Sequence, residues 1–526
     1  MNAMHLIDAE AGERPVIRLE PDLKGVVDNA IEALAVDREI YHRGGTLVRI
    51  VRAGPPSSPE GSRRPEGAPV IRAVAAATLR ERLSLVARWE RFDTRRKAWM
   101  HALPSEPVVQ AVAARGEWPG LRPLVGIAEA PLLRADGTIL QREGYDDASG
   151  YAYLPSCAFP RVSDAPTAQD AQRARDELLE VVCDFPFASD GHRSAWLAFL
   201  LTLFARPAID GCVPLGAVDA TTRGTGKGKL ADATALIALG REAAKVPQPE
   251  DDKECRKVIT SLVDEGEVFA LFDNIARPIS YPSLDAALTA GVWKDRVLGT
   301  NRTICAPMRI TWGVTGNNVE LGGDTARRTL HVRLESPLEN PEDRADFKHA
   351  DLLAWVRGER PRLVVAALTI LRGYVVAGRP DMGARSWGSF EAWSRLIANA
   401  VRWVGMADPQ ATRVDLEDAA DATKAALIAL MDGWARLDPG GGLSAKAAID
   451  ALYPARREDA SPDGFDEMRE AIEALVPTPP GKTPASQRLT YVLRGQRRRV
   501  IRGRMFDAMD GHAGAKRWRV VEQGQP

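Results

Sequence analysis

A chain of 526 residues, 45% hydrophobic and 27% charged, is too long for one ordinary core; three or four domains are predicted, and a disordered chain is excluded. No apolar run reaches the roughly 20 residues of a membrane span, and residues 1–15 lack a signal-peptide core, so a cytoplasmic protein without membrane attachment is expected. The formal net charge of -1 leaves nucleic-acid binding open, whereas five dispersed cysteines and seven scattered histidines argue against zinc.

Residues 1–165 predict an N-terminal α+β domain. A helix is expected around 23–36, a hairpin over 40–52 turning at Gly44-Gly45, a Pro/Ser/Gly-rich loop over 53–69, and a helix over 74–92 with Leu79, Leu83 and Val86 on one face. Residues 135–155 carry the Gly/Asp turns and short apolar runs of a further small sheet. Arginines and Lys97 interleave with Trp89, Phe92 and Trp99 in this region. Such aromatics can stack on single-stranded bases, but packing in the core with the arginines in solvent is the expected arrangement.

Helices follow at 168–183 and 193–204, and residues 166–345 then alternate apolar strands with helices. The strand CVPLGAVDA (212–220) runs into TTRGTGKGKL (221–230) and a helical pattern. A charged helix (251–263) precedes the strand EVFALFDN (267–274), and MRITWGVTGNN (308–318) and RTLHVRLE (328–335) follow. This order predicts an α/β core with a parallel sheet covered on both faces. His331, in an apolar strand, reads as a satisfied core histidine. Residues 346–437 are helical by pattern and 438–445 a linker. Helices at 445–452, 464–475 and 486–493, then strands in VIRGRMFDA and KRWRVVE, predict a winged-helix domain over 438–526.

The glycine loop carries the first chemistry. Gly224 and Gly226 let consecutive N–H groups turn toward one anion, Lys227 reaches the outer phosphates, and Thr225, Gly228 and Lys229 complete the loop. The usual GxxxxGK[ST] form is broken by Thr221 at its first position and by Gly228 at its last. Asp273 ends the strand VFALF, where a metal-binding carboxylate reaches Mg2+ directly or through water. Asn317 ends the next strand, where an amide orients an attacking water, and Arg327 and Arg328 follow.

In this order the motifs resemble those of AAA+ ATPases, and more closely those of superfamily III type helicases of phages, plasmids and mobile elements. The resemblance rests on TTRGTGKGKL, VFALFDN, WKDRVLGTNRTICAPMRI, ITWGVTGNN and GDTARR, and covers about residues 166–345. GYD (144–146), DFPF (184–187) and the C-terminal tail extend it to helicases encoded beside primases. It implies an AAA+ P-loop NTPase core using ATP and Mg2+, with Lys227 on phosphate and Asp273 serving the metal. Asn317 or Asn318 becomes the sensor, and Arg327 or Arg328 a finger acting on a neighbouring subunit. A homo-oligomer, most often a hexamer, a separate primase and replication of a mobile element are also implied. The chain departs from the pattern where Asn274 replaces the water-polarising Glu of many members, leaving Glu254 on the preceding helix as a candidate base, and where Gly228 removes a metal-binding hydroxyl.

Two regions are read as DNA contacts. The expected hairpin over 291–308 bears Lys294, Arg296 and Arg302, where the resembled helicases carry their DNA-gripping loop; an ordinary solvated hairpin is the alternative. Residues 481–526 hold eleven basic against three acidic residues, a net charge of +8. Arg497, Arg498 and Arg499 precede the strands, and alternation in KRWRVV puts Arg517 and Arg519 outward beside phosphates and Trp518 and Val520 inward. A tail used only for protein contacts is the competing reading. The leading expectation is an ATP-driven DNA helicase acting on single-stranded or forked DNA; the alternative is a DNA-binding switch with little hydrolysis.

Overall fold

A computed structural model of the chain describes residues 14–54, 66–297, 303–338, 340–439, 442–454, 462–478, 482–510 and 516–522. It divides into two compact units, Met1–Arg413 and Val414–Pro526.

The first unit opens with β1 (Val16–Arg18), α1 (Leu23–Leu34), β2 (Tyr41–Arg43), β3 (Thr46–Arg52), β4 (Pro69–Ala73), α2 (Ala76–Val86), β5 (Arg88–Asp93), β6 (Ala98–Ala102) and α3 (Glu106–Ala114). The β2–β3 turn forms where expected, with Gly44 and Gly45 both at positive φ. The expected helix over 74–92 is corrected: it stops at Val86, and Arg88–Asp93 is a strand. β5 pairs in parallel with β1 and antiparallel with β6, an apolar-in pattern at Trp89 and Ile17 that has period two rather than 3.6. Short strands β7 (Arg122–Pro123), β8 (Gly126–Ala128), β9 (Leu132–Leu133), β10 (Ile139–Leu140), β11 (Gly144–Asp146) and β12 (Tyr151–Tyr153) lead into the larger core.

That core contains α4 (Ala168–Val181), α5 (Asp190–Ala205), β13 (Leu215–Ala220), α6 (Lys227–Leu239), β14 (Ala244–Val246), α7 (Asp252–Asp264), β15 (Phe269–Ile275) and α8 (Pro282–Thr289). β16 (Val292–Arg296), β17 (Thr303–Pro307), β18 (Thr311–Asn317), α9 (Gly323–Ala326), β19 (Thr329–Leu334) and α10 (Leu352–Val376) complete it. Five strands form one parallel sheet in the order β14-β15-β18-β13-β19. Alternate residues feed opposite faces: Phe269 and Leu271 pack with α5 and α6, while Ala270 and Phe272 pack with α7 and α8. Near-continuous apolar strands are therefore buried on both sides, with Asp273 and Asn317 near the carboxyl ends of β15 and β18. The remaining regular elements of the unit are helical, including α11 (Glu391–Trp393) and α12 (Asn399–Trp403).

The second unit contains α13 (Arg413–Leu437), α14 (Ala445–Leu452), α15 (Asp466–Leu475), α16 (Ser486–Gly495), β20 (Arg504–Asp510) and β21 (Lys516–Glu522). The two strands pair antiparallel, and the core joins Leu430 and Trp434 of α13 to Ile449, Ile472, Leu489 and Trp518. The Trp434 indole N–H donates to the Trp518 carbonyl at 2.9 Å, fixing the strand pair on the long helix.

Candidate functional site

The parallel topology brings the carboxyl ends of β13, β15 and β18 to one edge, where a cleft of about 1070 Å3 opens. Its floor is the glycine loop. Gly224 and Gly226 adopt φ of 76° and 95°, and Gly226 caps α6, whose first residue is Lys227. Backbone N–H groups and the positive end of a helix dipole thus converge on one spot. The Thr225 hydroxyl donates to the Thr222 carbonyl at 2.7 Å and steadies the loop.

Lys227 Nζ donates to Asn317 Oδ1 at 2.5 Å and to the Thr222 carbonyl at 3.3 Å. Burial pushes its ammonium below the usual value, with the Asp219 carboxylate pulling the other way. The sequence left Asn317 and Asn318 as equal candidates for the amide; they take different places. Asn317 faces the lysine, whereas Asn318, at φ 47°, turns its amide toward the Thr221 carbonyl at 3.4 Å.

Asp273 and Asn274 line the same cleft. The Thr315 hydroxyl donates to Asp273 Oδ1 at 2.7 Å and accepts from the Asn274 N–H at 2.8 Å. The β15–β18 register shifts between Phe272 and Ile275, and Asn274 sits at φ 52°, so a bulge sets the carboxylate at the strand end. Thr315 escaped sequence reasoning, although its spacing of two from Asn317 puts both side chains on one face of β18. Glu254 is not part of the cleft lining: it lies on α7 and pairs with Lys257 at 2.5 Å.

A second missed residue underlies the site. Asp219, 1% exposed, accepts from the Val319 N–H at 2.9 Å and from Arg333 at 2.8 Å, with His331 Nε2 at 3.3 Å. Burial alone would raise its carboxyl, but hydrogen bonds from His331 and the Val319 N–H, and the charge of Arg333, hold it below the usual carboxylate range. A carboxylate inside the apolar run CVPLGAVDA was the signal that could have found it. His331 is buried, in keeping with its reading as a core residue.

The segment after β19 closes the cleft's other side with Glu342, Arg344, Phe347 and His349. Arg344 bridges to Asp184 and lies 4.8 Å from the Phe347 ring centroid. Lys229 lies over the same ring at 5.9 Å rather than bonding within the loop. A Cβ on Gly224 would strike the Glu342 carboxylate and come 3.0 Å from its backbone N, so only glycine fits there. At Gly228 the corresponding space is open to 4 Å.

No protein-family model matches the sequence, and no curated protein matches it. Among solved structures, the chain is similar to the A-form apo structure of the NrS-1 C-terminal region at 10% identity, covering 86% of this chain and 100% of that one, with a TM-score of 0.33. It is also similar to the SCCmec type IV Cch active helicase (13% identity, 75% and 80% covered, TM-score 0.27) and to the X-ray structure of JCV helicase (15%, 48% and 69%, TM-score 0.22). Values this low carry no functional argument, which rests instead on the side chains.

The other candidate residues lie away from the cleft lining. Arg327 pairs with Asp324 and is largely exposed, while Arg328 is held by Asp285 at 3.2 Å. Of the two, Arg327 has the freer guanidinium. In the β16–β17 hairpin, Trp293 and Asp295 face α7, the first donating to Thr260 and the second paired with Arg256 at 2.9 Å. Lys294 and Arg296 alternate outward and are exposed; Arg302 lies outside the described residues. In the second unit Arg497 and Arg498 both pair with Asp507, at 3.0 and 3.3 Å, and Arg499 bonds Gln496. Trp518 points inward and is 1% exposed; Arg517 is exposed and Arg519 half-buried. Among the described residues, no helix is long and apolar enough to cross a membrane.

Proposed function

We propose that this chain is an ATP-dependent DNA helicase, a ring translocase acting in the replication of a phage, plasmid or other mobile element. The observation that carries the reading is the meeting of Lys227, Asn317 and Asp273 at the ends of adjacent parallel strands, over a helix N-terminus capped by a left-handed glycine. The donor set fits a nucleoside triphosphate with Mg2+. Among the described residues no cluster of three or more acidic, His or Cys side chains forms a metal cage, and Mg2+ characteristically needs only one or two carboxylates beside phosphates and waters.

Bound Mg2+ would neutralise charge on the phosphates as the outer phosphoryl group transfers to water. The loop N–H groups and Lys227 hold the phosphates. Thr315 aims the Asp273 carboxylate, and Asn317, released from Lys227 as the lysine turns to phosphate, is placed to orient the attacking water. Arg327 acts on the site of a neighbouring subunit in a homo-oligomer, proposed to be a hexamer. Lys294 and Arg296, on a hairpin anchored to α7, grip DNA in the ring, and the second unit, as a winged helix, holds phosphates through Arg499, Arg517 and the Arg497–Arg498 pair. A separate primase would complete the replication machinery.

A second reading, a nucleotide-dependent DNA-binding switch with little hydrolysis, is favoured by Asn274, which cannot serve as a base. ATP turnover with and without DNA separates the two. A motor shows DNA-stimulated hydrolysis, whereas a switch shows ATP-dependent assembly with turnover that DNA leaves unchanged.

A further inference from the structure

The β5–β6 hairpin carries a surface that the nucleotide site does not use. Register puts Phe92 opposite Trp99 and Glu90 opposite His101, while β1 adds Arg18 opposite Glu90. Alternation therefore places Arg18, Phe92, Trp99 and His101 on one face, opposite to buried Trp89 and Ile17. That face is partly open to solvent: Phe92 is 45% and Val16 50% exposed, and Trp99 is half-buried. The Phe92 and Trp99 rings meet edge to face at 5.5 Å, and the Arg18 guanidinium lies 4.8 Å from the Trp99 centroid.

The turn joining the strands is cationic. Arg95, Arg96 and Lys97 are all exposed, and the Asp93 carboxylate accepts from the N–H groups of Arg95 and Arg96, so the acid is occupied in shaping the turn. Glu90, the other acid of the hairpin, is buried between Arg18 and Arg88 at 3.5 and 3.4 Å. Both acids thus serve the fold, and the outward charge is positive. An exposed Phe92 ring beside a half-buried Trp99, bordered by cations, matches the chemistry of an unpaired nucleic-acid strand: faces for bases, charges for the backbone. A duplex keeps its base faces stacked inside and would meet only the charges.

We propose that this sheet face binds single-stranded DNA, stacking bases on Phe92 and Trp99 with Arg95, Arg96 and Lys97 on phosphates. The choice of DNA over RNA rests on the proposed function; the stacking surface does not. The test uses the full chain without nucleotide, so that failure of the ATPase reading leaves it intact. An oligodeoxythymidylate of about 30 nucleotides carrying 5-iodouracil is crosslinked by ultraviolet light and the modified peptides are mapped by mass spectrometry. Crosslinks are expected on the peptide containing Trp99. The pair Phe92→Ala and Trp99→Ala should abolish that crosslink and weaken oligonucleotide binding by roughly tenfold or more. Phe92→Tyr with Trp99→Phe should restore both, which excludes a mere folding defect. Crosslinks confined to other segments, no binding at all, or a preference for duplex or RNA would each overturn the proposal.

Discussion

The nucleotide cleft and the β5–β6 hairpin use the same residue types in opposite ways. In the cleft, Asn317 holds Lys227 and Thr315 holds Asp273, each placed by the end of a buried strand or the first turn of a helix. On the hairpin, Arg95, Arg96 and Lys97 stand in solvent, and only the aromatic pair beneath them has fixed geometry. The first arrangement gives up side-chain freedom in advance, as positioning chemistry requires. The second keeps that freedom, as sequence-tolerant binding of a flexible strand requires. Perturbing one region should therefore leave the other untouched.

The largest separation is expected from Lys227→Ala. ATP turnover should fall at least about a hundredfold, from loss of a charge aimed at the phosphates, while crosslinking at Trp99 is unchanged. Asp219→Ala should cost about 2–3 kcal/mol in denaturant unfolding, since it removes the acceptor of the Val319 N–H beside the sensor amide and of buried His331, and one of the two carboxylates that hold Arg333. That difference carries a pH signature. Because the folded-state carboxyl is held below its ordinary value, its stabilisation is complete above about pH 4 and is lost as pH falls through the lowered pKa. The stability gap between wild type and variant should therefore close in acid. Thr315→Val keeps shape but removes the hydroxyl between Asp273 and Asn274; turnover should drop about tenfold with little change in stability. The smallest effect belongs to Gly228→Ser. Its side chain enters open space, and the apparent Mg2+ requirement in ATP turnover should tighten by about two- to fivefold.

The cleft was largely legible in the sequence because its parts are local: a glycine loop after one apolar strand, and a polar residue ending each of two others. Thr315 and Asp219 were missed because their roles depend on strand neighbours far away in sequence. Segment 340–350 was missed for the same reason, since nothing in its composition announces that it meets Gly224. The stretch from Arg88 to Phe92 was misread as helix for a different reason. An alternating strand that begins right after an amphipathic helix, with Trp89 inside and Phe92 outside, also satisfies a helical spacing over a short window. Reading it as a strand moves Phe92 from an expected core position to the solvent face.

The central claim is that the cleft powers strand separation, and it is tested most directly by unwinding of a forked DNA with ATP and Mg2+, beside Lys227→Ala. The wild-type chain should separate the strands only with hydrolysable ATP, and Lys227→Ala should bind the fork without separating it. Undiminished unwinding by Lys227→Ala, or none by the wild type under conditions where it hydrolyses ATP, would contradict the account.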